Sequence, residues 1–294
     1  MTSSAGRGIT GRQAKSGGST PQLELLNGFR LECDGDALAL PLGVQRVVAF
    51  LAIRNRPLQR LFVAGNLWID SSEEHANANL RTALWRLRSA GVRVVDSTRS
   101  QVALAPDVAV DLHVYGAHAR ELLRHEPSQA PARAPAPAPA PARAPARAPA
   151  PARAPARAPA PAPAPAPAPD DTSWLAGDLL PDWYDDWVVI ERERFRQLRL
   201  HALEALCESR AAAGAFPEAV DAGMACIAAE PLRESAHRAL IRVHLAAGNP
   251  GEALRQYRLY RVLVGDQLGL APSPAMERVV ASLPIRDEMV TIVG

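Results

Sequence analysis

From about Ala130 to Pro169 the chain is almost pure alanine and proline, broken by Arg133, Arg143, Arg147, Arg153 and Arg157. Each proline fixes its own φ, lacks an amide donor and pushes the residue before it out of the helical region. Helix and central strand are both excluded, and polyproline II is the expected state. At ~3.1 Å per residue, about 40 residues reach on the order of 120 Å. Folded structure is therefore expected on either side of a spacer. The reading is a disordered tail over 1–20, a first domain over 21–125, an Ala-Pro linker over 126–172, a second domain over 173–285 and a C-terminal tail over 286–294. The spaced arginines read as charges that keep the linker soluble.

With 294 residues there is room for two ordinary domains, and a hydrophobic share of 48% excludes wholesale disorder. The formal charge of +2 argues against a histone-like basic protein but leaves local basic patches open. Cys33, Cys207 and Cys226 are odd in number and contain no Cys-x-x-Cys pair, so they read as reduced thiols packed like small apolar residues. No apolar run has the length of a membrane span, so no membrane partner is expected. The first 20 residues are rich in Ser, Gly and Thr and lack the apolar stretch of a signal peptide. A cytoplasmic location is expected.

Upstream of the Ala-Pro segment, Leu23–Leu31 reads as strand, Cys33-Asp34-Gly35-Asp36 as a turn and Leu38–Leu42 as a second short strand. Val44–Ile53 has helical spacing through Val44, Val47, Val48, Leu51 and Ala52, and Leu58–Trp68 is a second candidate helix with Leu58, Leu61, Phe62 and Leu67 apolar. Ser71-Ser72-Glu73-Glu74 supplies an N-cap and first-turn acids for a third helix reaching Ala90, stopped by Gly91. Val92–Val95 and Val102–Leu104 then flank a polar tip, Asp96–Ser100. Strands, three helices and a hairpin, in that order, are the winged helix-turn-helix plan.

On a helical wheel of the third helix, Ala76, Leu80, Ala83, Leu84 and Leu87 gather on one side, which must be buried. The other side carries His75, Ala78, Thr82, Trp85 and Ser89, flanked by Asn79, Arg81 and Arg86, with Arg88 near the boundary. Arginine suits guanine edges, asparagine suits adenine, and threonine can touch a thymine methyl, so this face fits a major groove. Arginines that meet only phosphate add affinity without sequence information. Thr98 and Arg99 at the hairpin tip would reach the minor groove or backbone beside it. Asn77, Asn79, Arg81, Thr82, Trp85, Arg86, Arg88, Thr98 and Arg99 are the candidate DNA-binding residues.

Downstream, helix follows helix from Trp187 to about Leu283, including Val188–Ala213 and Pro274–Leu283. Gly214-Ala215-Phe216-Pro217-Glu218-Ala219-Val220 recurs 34 residues later as Gly248-Asn249-Pro250-Gly251-Glu252-Ala253-Leu254. That is the period of the tetratricopeptide repeat, two antiparallel helices per unit, with Ala219 and Pro231 where it takes a small residue and a proline. The fold class expected is thus an α+β winged-helix domain followed by an all-α tetratricopeptide-like domain.

Enzyme chemistry finds no support in the residues. The seven histidines lack ligand spacing, and His237 and His244 lie two turns apart on one helix. Asp178, Asp182, Asp185 and Asp186 sit among Trp174, Trp183, Tyr184 and Trp187 and read as a helix start with aromatic packing. No Gly-x-x-x-x-Gly-Lys loop, nucleophile–base pair, metal site or cofactor motif is present.

The stretch from Leu67-Trp68-Ile69-Asp70 through Ala76–Arg88 resembles the DNA-binding half of the Streptomyces antibiotic regulatory protein family, a winged helix of the response-regulator OmpR type. Leu180–Trp187, Glu191–Arg194, Pro231–Arg238 and Leu268–Pro274 resemble the bacterial transcriptional activator domain of the same family. The resemblance implies a transcription activator, and the lack of any cofactor motif means that no cofactor is expected. Such an activator would bind direct repeats of double-stranded DNA near promoters, often as more than one protomer, and recruit RNA polymerase. The third helix would read bases and the hairpin would be the wing. In that family the helices run straight on from the winged helix, whereas here Ala-Pro sequence intervenes after Leu123. Two rival readings are a protein-interaction scaffold with a non-reading winged helix and a repressor built from the same parts.

Overall fold

The computed structural model describes residues 20–124, 175 and 177–281. The two tails, the 126–172 segment and Trp174 fall outside these bounds, apart from Thr20 at the edge of the first tail. The chain divides into two compact units, 1–112 and 113–294.

In the first unit, β1 (Gln22–Glu24) pairs antiparallel with β2 (Arg30–Cys33), which pairs with β3 (Asp36–Ala37). Asp34 and Gly35 both take positive φ, 55° and 84°, as a tight hairpin turn with strand-matched twist requires. The expected second strand, Leu38–Leu42, is not formed. The strand ends at Ala37, a last backbone bond runs from the Leu38 amide to the Leu31 carbonyl, and Pro41 fixes the N-cap of α1 (Leu42–Arg54). The five apolar residues expected to face the core from α1 are all buried, together with Ala49 and Phe50.

The second expected helix begins later than its apolar spacing suggested. Leu58 and Gln59 form β4, which pairs with Val102 and Gln101 of β6 (Gln101–Leu104), and α2 runs only over Arg60–Leu67. That phase turns Val63, Ala64 and Leu67 inward and leaves Leu61 and Phe62 exposed. The strand wins because it completes a three-stranded sheet, β4-β6-β5, with β5 (Val95–Ser97) at its far edge. A short strand absent from the sequence reading, β7 (Ala109–Val110), pairs parallel to β1 and closes the other sheet in the order β3-β2-β1-β7.

Helix α3 (Glu73–Ser89) follows the sequence expectation closely. The Ser72 hydroxyl accepts from the His75 amide, Glu73 and Glu74 occupy the first turn, and Gly91 at φ 76° follows the last. Its buried residues are Ala76, Leu80, Ala83, Leu84 and Leu87, which rest on α1 and α2.

The second unit differs from expectation at its start. Helix α4 (Asp111–Arg124) opens in the last residues of the first unit, yet its body belongs to the second. Ala119, with Tyr115 and Leu122 beside it, shares a core with Leu175, Leu200, Leu203, Ala222 and Val243. The domain limit read at 125 thus moves back to 112, because these three side chains bury apolar surface in the helical core. The Ala-Pro segment consequently joins two parts of one unit and does not separate the two units.

The rest of this unit is α5 (Asp186–Ala212), α6 (Phe216–Ala229), α7 (Glu234–Ala246), α8 (Pro250–Leu268) and α9 (Pro274–Val280). The 34-residue repeat is reproduced in backbone geometry. Gly214 and Gly248 have φ of 77° and 75°, and their amides donate to Ala211 and Leu245. The next amides, of Ala215 and Asn249, donate to the Arg210 and His244 carbonyls. Both turns are Schellman caps. Ala219 and Ala253 are fully buried where the paired helices approach. The Asp178–Asp186 segment is held by Arg192, which donates to the carbonyls of Leu179, Leu180 and Trp183, and by the Arg199–Asp178 ion pair. Trp183 and Trp187 meet edge to face at 6.3 Å. Burial raises the thiols of Cys207 and Cys226 to about 12, so they pack as apolar groups. No described helix is long and apolar enough to cross a membrane.

Candidate nucleic-acid interface

The candidate face is built from two elements. Burying five residues of α3 against α1 and α2 leaves the opposite side of the helix to solvent, and this is where the polar residues lie. Asn79, Arg81, Thr82, Trp85, Arg86 and Arg88 are exposed, Trp85 to 66%, while Asn77 is half-buried. An indole so exposed on a folded domain leaves a large apolar face uncovered. Thr82 donates its hydroxyl to the Ala78 carbonyl at 3.0 Å, which leaves its methyl and its lone pairs for an outside contact.

The wing tip is a closed turn. The Thr98 amide donates to the Gln101 carbonyl at 2.9 Å, and the Gln101 amide donates back to the Thr98 hydroxyl at 3.0 Å. Thr98 therefore shapes the tip, and Arg99, exposed at its apex, is the group free to reach outward. Arg93 and Asp96 brace β5 from its start through a two-pronged ion pair at 2.9 and 3.0 Å.

Arg60, which the sequence reading passed over, joins the wing to the helices. As the first residue of α2 its amide donates to the Ser100 carbonyl at 2.9 Å, and its Nη1 donates to the Ser97 hydroxyl at 3.0 Å and the Thr98 carbonyl at 3.3 Å. Burial lowers its pKa first, followed by repulsion from Arg88 and Arg81. No local pattern announces this residue, because its position depends on β4 pairing with β6. Among the described residues, none of Arg60, Arg81, Arg86, Arg88 and Arg99 is in an ion pair. The result is a concentration of unneutralised guanidinium groups beside an exposed aromatic and two amides, chemistry suited to a polyanion with base edges. No group of His, Cys, Asp and Glu among the described residues is arranged to hold a metal ion.

The described residues thus form a winged helix with a basic outward helix and, after it in sequence, a unit of repeated helices. Residues 146–283 match the family model of the bacterial transcriptional activator domain. The regulatory protein AfsR of Streptomyces coelicolor is 32% identical over 101 residues, which are 34% of this chain and 10% of AfsR. The chain thus matches about a tenth of the length of that curated relative. A solved structure, Mycobacterium tuberculosis EmbR in complex with low affinity phosphopeptide, aligns with a TM-score of 0.61 at 19% identity. The alignment covers 91% of this chain and 66% of the EmbR chain, and at that identity the likeness bears on the fold.

Proposed function

We propose that the chain is a sequence-specific DNA-binding transcription regulator, an activator that sets α3 into the major groove of promoter repeats and engages RNA polymerase. The observation that carries this reading is the outward face of α3, where Asn79, Arg81, Thr82, Trp85 and Arg86 are exposed with no anionic partner among the described residues. In that pose Asn79 and Arg86 meet base edges, Trp85 covers a thymine methyl or sugar, Arg88 and Arg99 meet phosphates, and the Thr98 turn holds Arg99 in place. Asn77 sits at the inner margin of the face. The match to a bacterial transcriptional activator domain supports activation and contact with polymerase. The helical unit pairs protomers across a repeated site.

The test is selection of the full chain on random-sequence duplexes, beside an Arg81→Ala/Arg86→Ala double variant. The expected result is an enriched, repeated motif that the double variant fails to select. Equal enrichment by both proteins would remove α3 as the reader, and no enrichment at low salt by a folded chain would favour a protein-interaction scaffold.

A further inference from the structure

A cleft of about 440 Å³ opens where the start of α2, the side of α3 and the wing tip meet, lined by Gln59, Arg60, Asn77, Arg81, Arg99 and Ser100, together with Leu61. Three guanidinium groups from three separate elements converge on it, and no carboxylate lines it. None of the three is in an ion pair among the described residues. Arg60 is the fixed member. Two hydrogen bonds to Ser97 and Thr98 hold Nη1, and Nε and Nη2 donate to nothing among the described residues. Arg81 repels the Arg60 guanidinium, and no ion pair among the described residues offsets that repulsion. An anion with several acceptor oxygens would satisfy all three forks at once, with the Asn77 amide and Ser100 as neutral partners.

We propose that this cleft seats one phosphate of the DNA backbone, gripped by Arg60, Arg81 and Arg99. The assignment rests on the DNA reading and deepens it. The cleft borders both the reading face of α3 and the wing tip, so an anion held there lies at the edge of a duplex docked on that face. The seat has a consequence for specificity. Arg81 serves position and affinity, and base discrimination falls to Asn79, Thr82 and Arg86. It also locks the wing to the helices when DNA is bound, because Arg60 is bonded to the wing turn at both its ends.

The experiment measures binding of the full chain to its selected duplex and to a scrambled one, over a salt series, for the wild type and Arg60→Gln. Glutamine keeps a donor for Ser97 without the charge, and a melting curve checks that the wing domain stays folded. The slope of log K against log salt is expected to fall in magnitude by ~0.9, with the same fractional loss on both duplexes. Duplexes carrying one neutral methylphosphonate are then scanned. One position per protomer is expected to weaken the wild type about tenfold and to weaken Arg60→Gln and Arg81→Gln several-fold less, because each variant keeps two of the three arginines. An unchanged slope and scan in Arg60→Gln overturns the seat while leaving the DNA reading standing. A changed preferred sequence makes Arg60 a base reader and overturns it too. A folded wild type that binds no duplex overturns both. Inorganic phosphate that raises the melting temperature of the wild type and not of Arg60→Gln, with a flat methylphosphonate scan, would mark a free-anion site and overturn the backbone assignment.

Discussion

His237 shows how much a single buried polar side chain settles in the helical unit. It is fully buried on α7, its Nε2 donates to the Pro231 carbonyl at 2.8 Å, and its Nδ1 accepts from the Gln256 amide of α8 at 2.7 Å. Those partners require the neutral ring. Burial pushes its pKa below the ordinary value, against the opposing pull of the Pro231 carbonyl and Glu234. The unfolded chain therefore binds the proton more tightly. Stability is full above the ordinary histidine value near 6.5 and is lost as pH falls through it towards the lowered folded value. The melting temperature should drop between about pH 7.5 and 5.5, and His237→Gln should flatten most of that slope. His244, lowered by burial in the same direction, supplies the remainder. An undiminished slope in His237→Gln would place the titration elsewhere. At this scale the sequence was legible where burial follows periodicity, as in the five inward residues of α3, or where composition speaks, as in the packed thiols. It was silent on Arg60, whose partners lie 37 and 38 residues away across a strand pairing.

Turns and caps decide the elements. Gly214 and Gly248 sit at positive φ with open space around the position of a Cβ, so alanine there suffers from backbone strain alone. Gly214→Ala and Gly248→Ala should each destabilise the helical unit by about 1 kcal/mol in chemical denaturation. Gly265 is the contrast. It lies within α8 with nothing near its Cβ position, and Gly265→Ala should stabilise by ~0.5–1 kcal/mol. Equal effects at the three positions would contradict this account of the repeat. Asp111 makes a second kind of joint. Its carboxylate accepts from the amides of Leu25, Leu26 and Leu112 at 2.6–3.0 Å, tying the end of β1 to the start of α4. Asp111→Ala orphans these amides and should cost about 2–3 kcal/mol of first-unit stability in urea unfolding. The 34-residue period was readable because both turns repeat the same residues at the same offset. The short strands β4 and β7 were not, since two residues carry no periodicity and pair only with partners distant in sequence.

For the whole molecule, the Ala-Pro segment changes its meaning. Read from composition it separates two domains, but α4 before it and Leu175 after it share one core. Proline content reports what a stretch cannot fold into and is blind to what its two ends pack against. Replacing residues 126–172 with a 15-residue Gly-Ser linker shortens a loop within the helical unit from about 50 to about 15 residues. Loop-closure entropy then predicts about 1 kcal/mol of added stability, with binding to a selected site unchanged. Lost cooperativity on repeated sites, with no change in stability, would restore the interdomain spacer. Under the proposed function, α3 reads sequence. Its most direct test is the ratio of dissociation constants for a selected duplex and a scrambled one, measured with the full chain at fixed physiological salt, for the wild type and Arg86→Ala. A ratio of at least about 10³ is expected for the wild type, falling roughly tenfold or more in the variant. A wild-type ratio near one, or a ratio untouched by Arg86→Ala, would contradict it.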